Sequence, residues 1–327
     1  MRRRRRQNLI VTGLVLLLVL ILAFSVFRIV QKLSDIPGED TMQTTVSKTI
    51  VHEGVEYFPR QDIDVFLLMG VDKYGPVEDS GSYNNDGETD MVMLLVFDQA
   101  AETFSVLNLN RDTMLEMPVL GVGGRPAGTS YGQIALAHTY GSGLEDSCEN
   151  TVAAVSGLLN GIRIDHYIAM NMDAIAVLND AVGGVSVNVT EDFSAAGTDI
   201  PMGETVLYGQ QAIDYVRYRM DVGDQMNVSR MERQNQYVAA FLTALRRKME
   251  TDSDFVVKTY EDAAPYLVTD CSSTVLSSVL EHYGHYGLGE TVTLEGENRK
   301  GEVYMEFYAD PDALKQLTVD LFYAPKH

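Results

Sequence analysis

The segment "DYVRYRMDVGDQMNVSRMERQ" (214–234) contains four arginines, Arg217, Arg219, Arg230 and Arg233, in a chain whose formal charge is −21. Between Lys73 and Lys248 there is no lysine. Guanidinium keeps its charge when desolvated and grips phosphate or carboxylate with a planar fork, which an ammonium cannot do. A lysine-free arginine cluster therefore has the chemistry of a phosphate clamp. On a helix beginning near Val228, Arg230, Arg233 and Gln234 stand at i, i+3 and i+4 and share a face. Arg217 and Arg219 are two apart and share a face only in extended chain. The competing reading is a set of salt bridges to Asp214, Asp221, Asp224 and Glu232.

Arg111, in "NLNRDT" (108–113), directly follows an expected strand. In open α/β sheets ligands bind at that carboxyl edge. Asp112 either pairs with it or caps the next turn. Asp72 follows the apolar run "DVFLLMG" (64–70), and Asp90 opens "DMVMLLVF" (90–97). Two such carboxylates suit Mg²⁺ shared with substrate phosphates; on the residues alone, turn chemistry at strand ends is the preferred reading. His138 and His166 are isolated and read as structural. Cys148 and Cys271 are the only cysteines, and the expectation is a disulfide tying the helix at 145–161 to the C-terminal part.

The elements that must position these residues follow from periodicity. Runs 64–70, 90–97 and 103–109 read as strands, the last two forming a hairpin through "DQAA". The segment 145–161 has helical spacing and ends in Asn-Gly. A strand at 164–170, a helix at 173–184 stopped by Gly183–Gly184, and a strand at 185–189 follow. A helix begins near "YGQQAIDYVR", and a long amphipathic helix spans 228–250. The tail holds helices at 274–281 and 311–317 and a strand at 302–307. This alternation predicts a three-layer α/β/α domain around a central mixed sheet. No Gly-rich phosphate loop is present.

Leu9 to Phe27 carries no charge over 19 residues, long enough to cross a bilayer as one transmembrane helix. Arg2 to Arg6 precede it, which keeps the N-terminus cytoplasmic. The expected organisation is a signal-anchor (1–30), an extracellular linker (31–60) and an extracellular domain (61–327) with a core at 64–250 and an extension at 251–327. Setting aside the six arginines of residues 1–30 takes the formal charge to −27. Such a surface repels nucleic acid and anionic headgroups, so an anionic ligand needs a local cationic pocket.

Taken in order, "FLLMGVD", "TDMVMLLVF", "LNRDTMLEMP", "AHTYG", "GIRIDHYIAMNMDAI", "DAVGGVSVNV", "GQQAIDYVRYR" and "SRMERQNQ" resemble the LytR–CpsA–Psr family of cell-wall enzymes. The resemblance implies a membrane-anchored phosphotransferase outside a Gram-positive-type envelope. It would move a glycopolymer from a polyprenyl-pyrophosphate carrier to peptidoglycan through a phosphodiester, with the lipid in an apolar tunnel. By motif, Asp72 and Asp90 would hold Mg²⁺ (or Mn²⁺). Arg111, Arg217, Arg219, Arg230 and Gln234 would surround the pyrophosphate, with Arg111, Asp90 and Asp72 catalytic. Arg233 has no such role by motif. Two positions depart from the family pattern: Glu88 stands where many members have Arg, and Gln133 where many have Lys. These departures keep open a non-catalytic binding or regulatory module for the lipid-linked glycan.

Overall fold

The computed structural model describes residues 49–218 and 227–326; the expected anchor, most of the expected linker and Arg219 lie outside them. In chain order the strands are β1 (Ile50–His52), β2 (Val55–Pro59), β3 (Ile63–Val71), β4 (Thr89–Asp98), β5 (Thr103–Leu109), β6 (Met114–Leu120), β7 (Pro126–Gln133), β8 (His166–Met170), β9 (Val185–Val189), β10 (Gly203–Leu207), β11 (Leu267–Thr269), β12 (Gly287–Thr293), β13 (Gly296–Lys300), β14 (Met305–Ala309) and β15 (Tyr323–Pro325). The α-helices are α1 (Glu145–Leu158), α2 (Met172–Ala181), α3 (Gln210–Arg217), α4 (Asn227–Met249), α5 (Phe255–Ala263), α6 (Ser273–Tyr283) and α7 (Pro311–Phe322).

Six strands form the central sheet in the order β11-β8-β3-β4-β5-β12. β3, β4 and β5 run antiparallel in turn, β8 is parallel to β3, and β12 is parallel to β5. The sheet is mixed, as expected. Alternation along the strands divides the core. Val65, Leu67, Met69, Val92 and Leu94 pack with α1 and α7 on one face. Phe66, Met93, Leu95 and Val106 pack toward α4 and α6 on the other. Strands buried on both faces read as continuous apolar runs, which is why β3 and β4 are legible in the sequence.

Local chemistry sets the helix ends. Asn171 caps α2 by accepting from the backbone N–H groups of Asp173 and Ala174, which satisfies donors that the first turn leaves orphaned. Asn160 and Gly161 carry positive φ just beyond α1, the left-handed geometry that ends a helix. Arg246, Arg247 and Lys248 occupy the last turn of α4, where the macrodipole favours cations.

Three expectations are corrected. Ile50–Pro59 is not linker: β2 pairs with β1 on one side and with β15 on the other, joining the first and last of the described strands. The core is not confined to 64–250: residues 251–327, the expected extension of the domain, supply both edge strands of the central sheet, β11 and β12. Cys148 and Cys271 form no disulfide; both are buried free thiols. The reason is the sheet itself: Cys148 belongs to the α1 side of the core and Cys271 to the α6 side.

Candidate functional site

The site forms at the carboxyl end of β3, and a register shift makes it. Gly70 pairs with Met91 but Val71 pairs with Thr89, leaving Asp90 as the extra residue of a bulge. A bulge re-aims a side chain. Regular alternation would turn Asp90 away from the face that Met91 lines; instead both line one cavity. Gly70 permits the close approach, since a Cβ there would stand 3.1 Å from that of Met91. Asp72 lies alongside, its N–H donating to the Glu88 carbonyl at 3.0 Å.

The arginines converge on these carboxylates. Arg230 Nη1 donates to Asp90 Oδ2 at 2.9 Å, and Arg111 clasps the other oxygen of the same carboxylate. Arg111 also reaches Glu88 at 2.5 Å and lies 3.6 Å from Asp112. Arg217 forks onto Asp72 at 3.1 and 3.4 Å, a contact that raises its pKa further above the usual guanidinium value. Arg230 is 4% exposed and Asp90 12%, whereas Asp72 is 36% and Glu88 46% exposed. The cluster therefore runs from a buried pair to an open mouth. Its described residues set three guanidiniums against four carboxylates, Asp72, Glu88, Asp90 and Asp112. The buried Nε of Arg111 makes no hydrogen bond among the described residues; the Asp112 carboxylate, 3.6 Å away, is its neighbour there.

Arg233 plays a different part. Its Nε donates to the Tyr215 carbonyl at 3.0 Å, and its other nitrogens reach the Tyr218 carbonyl and Glu191. It closes the C-terminal end of α3, where helix carbonyls lack partners. Sequence spacing put it on one face with Arg230; the hydrogen bonds separate their roles. Gln234 donates to the Val216 carbonyl at 3.1 Å and lines the cavity.

The cavity itself is about 270 Å³. It lies between the sheet face bearing Phe66, Leu68 and Leu95 and the helices α2, α4, α5 and α6. Val238, Phe241 and Leu242 of α4 form one wall; Asp90, Arg217 and Gln234 stand at the polar end. The apolar helix directly after the arginine-bearing turn thus sets an apolar chamber beside a charged mouth.

The two departures from the family pattern have partners. Glu88 holds Arg111, and Gln133 donates to Asp112 at 3.0 Å and to the Met305 carbonyl at 2.7 Å. His138 is structural, as expected: its ring meets the Gly87 carbonyl at 2.9 Å, and burial depresses its pKa to about 4. It is therefore neutral at pH 7, with Nδ1–H donating, and it steadies the turn leading into Asp90. Tyr74 escaped the sequence reading. Its ring lies 5.8 Å from the Arg217 guanidinium, and the available signal was only its position two residues after Asp72.

The family model described as the LytR_cpsA_psr family matches residues 26–321. A polyisoprenyl-teichoic acid–peptidoglycan teichoic acid transferase, TagU of Oceanobacillus iheyensis, is 28% identical over 246 residues, covering 73% of this chain and 70% of that protein. The structure of B. subtilis TagV superposes with a TM-score of 0.61 at 22% identity, covering 80% of this chain and 96% of that one. TagT bound to LIIa-WTA gives 0.60 at 20% identity, covering 80% and 90%.

Proposed function

The chain belongs to the LytR–CpsA–Psr family, and on that premise we propose that it transfers a glycopolymer phosphate from a polyprenyl-pyrophosphate carrier to peptidoglycan. The observation that carries this reading is the junction of an apolar cavity with a buried arginine–carboxylate cluster. One ligand class needs both halves: a long hydrocarbon ending in a diphosphate. Each buried CH₂ stabilises by about 0.8 kcal/mol, so one five-carbon unit contributes roughly 4 kcal/mol. Relatives named for polyisoprenyl-teichoic acid transfer to peptidoglycan support the same substrate class.

The cluster accounts for the chemistry. Attack of an acceptor hydroxyl on phosphorus breaks the bridging P–O bond and releases polyprenyl phosphate. Arg111, Arg217 and Arg230 would spread the charge that develops; their convergence in the fold supports this, because preorganised donors stabilise a transition state without reorganisation. Asp72, where metal leaves it an open lone pair, would take the hydroxyl proton; its partial exposure and single guanidinium partner support this over Asp90, which two arginines clasp. Asp72 and Asp90 also fit a divalent cation. Each carboxylate offers about four lone-pair sites, so arginine contacts and a hard metal can share it. The excess of carboxylates over guanidiniums would otherwise oppose a diphosphate. Mg²⁺ or Mn²⁺ bound there would neutralise phosphate charge and orient the transferred group.

Arg219 and the residues N-terminal to position 49 lie outside the described structure. The reading gives Arg219 to the same diphosphate and residues 1–30 to a single-pass anchor with the domain extracellular. Among the described residues no helix is long and apolar enough to cross a membrane, so the anchor rests on the sequence of 1–30.

A reconstituted assay tests the function. Full-length protein, a polyprenyl-diphosphate glycan and peptidoglycan should yield a glycan phosphodiester on the wall polymer, dependent on divalent metal and on Arg111. Tight lipid binding with no turnover in any metal would instead support the non-catalytic module, which the Glu88–Arg111 pair favours because it occupies the central guanidinium.

A further inference from the structure

A second cluster lies at the other end of the sheet. β8 runs parallel to β3 with His166 opposite Phe66. Asp72 is six residues beyond that level, or about 20 Å along the strand. Asp270 and Cys271 follow β11, which pairs antiparallel with β8, so the chain returns them to the level of His166. His166 Nδ1 stands 3.1 Å from Asp270 Oδ2, and Cys271 Sγ stands 3.6 Å from Asp270 Oδ1. All three ligand atoms fall within 4.8 Å of one another.

These separations can be compared with a metal polyhedron. With Zn–N near 2.05 Å, Zn–O near 2.0 Å and Zn–S near 2.3 Å, a tetrahedron has N···O and S···O edges of about 3.3 and 3.5 Å. The observed spacings are close to these lengths, with one oxygen of Asp270 toward each neighbour, Oδ2 toward His166 and Oδ1 toward Cys271, so the carboxylate lies between imidazole and thiol. The surroundings are equally organised. Asp270 Oδ1 accepts the Tyr167 N–H at 3.0 Å, and the Cys271 N–H donates to Thr269 Oγ1 at 3.1 Å. Outer hydrogen bonds of this sort fix ligand orientation. His166 and Asp270 are about one-third exposed while Cys271 is buried. A cation thus has access from solvent to a site whose thiol is shielded. Asp165, the residue before His166, lies near a second carboxylate, Asp64, and the two share one cation, Arg163, so the local field attracts positive charge.

We propose that His166, Asp270 and Cys271 form a second metal site, for a borderline-soft divalent cation of the zinc type, with water in the fourth position. Its ligand set separates it from the hard-oxygen site at Asp72 and Asp90: thiolate and imidazole select zinc-like ions over magnesium. Burial and the Asp270 carboxylate push the free thiol up to about 11, so the metal-free protein holds Cys271 protonated. Uptake replaces the S–H bond with an S–metal bond and releases one proton to solvent. The bound ion would clip the β11–α6 connection to the start of β8, a cross-link between the C-terminal region and the central sheet.

The test is a titration of metal-free, full-length protein in detergent with Co²⁺. One equivalent should produce thiolate-to-cobalt charge-transfer absorption with tetrahedral d–d bands, displaced by Zn²⁺ and not by excess Mg²⁺. Cys271→Ser should abolish the charge-transfer band, and His166→Gln should weaken binding at least tenfold. Asp72→Asn should leave the band intact. Absence of the band in the wild-type protein, or its survival in Cys271→Ser, overturns the proposal, and the wild-type result decides even if a variant folds poorly.

Discussion

Asp90→Asn tests the arginine cluster from its centre. The change preserves shape and one acceptor oxygen but removes the charge that two guanidiniums share. Arg230, almost wholly buried, keeps a contact of 3.4 Å to the main-chain carbonyl of residue 90, and Arg111 keeps Glu88. The loss is therefore smaller than the 3–5 kcal/mol expected when a buried pair loses one partner outright. Replacing charge-assisted bonds by a neutral one should cost about 1.5–3 kcal/mol. For a domain of this size that lowers Tm by roughly 3–12 °C. Inorganic pyrophosphate should then restore stability in Asp90→Asn more than it stabilises wild type without metal, because the guanidiniums have lost their competing carboxylate. At a hundredfold excess over Kd the recovery is about 2.7 kcal/mol. Differential scanning calorimetry with and without pyrophosphate reads both effects. An unchanged Tm would refute the buried ion pair. A Tm loss that pyrophosphate leaves untouched would refute the phosphate role of the arginines.

Arg111→Ala should reduce transfer at least a hundredfold while the protein stays folded by circular dichroism, and Arg111→Lys should restore only part, since ammonium lacks the planar fork. Arg217→Ala should weaken lipid-diphosphate binding roughly tenfold, measured by isothermal titration, a figure reduced from the full charge-assisted value because Arg217 is over one-third exposed. Val238→Phe should fill part of the cavity, lowering affinity for the lipid-linked substrate about tenfold while leaving pyrophosphate binding unchanged. His138 is buried neutral with a pKa near 4, so its contribution to stability is present above about pH 6.5 and is lost as pH falls toward 4. His138→Gln should flatten that acid limb, worth about 3 kcal/mol, in pH-dependent thermal melts.

The sequence was most legible where burial imposes a pattern. β3, β4, β5 and β9 fall within a residue or two of the expected runs, as do the starts of α1, α2, α4, α6 and α7. Most of the strands missed are short, polar or glycine-bearing, and β6, "MLEMPVL", is interrupted by a proline. "GLGETVT" of β12 and "PAGTSYGQ" of β7 are mostly exposed, so no apolar alternation marks them; β12 is held by β5, distant in the chain, and β7 by its neighbour β6. The 302–307 strand slipped to Met305–Ala309 because it pairs with polar β13, which carries no signal of its own. At the site, residue types raised Asp72, Asp90, Arg111, Arg217 and Arg230 as candidates and the family resemblance gave them roles; the fold brings them together. Sequence spacing could not show the bulge that turns Asp90 into the cavity, nor that Arg233 closes α3. It also misjudged the cysteines, whose separation by the sheet depends on strand order.

The central claim is that cavity and arginines together form one site for a polyprenyl diphosphate. Mass spectrometry of lipid retained by the full-length protein, purified from cells that make it, tests it most directly. The account predicts about one polyprenyl phosphate or diphosphate per chain, sharply reduced in Val238→Phe and in Arg217→Ala. Only bulk membrane phospholipid, carried equally by wild type and both variants, would contradict it.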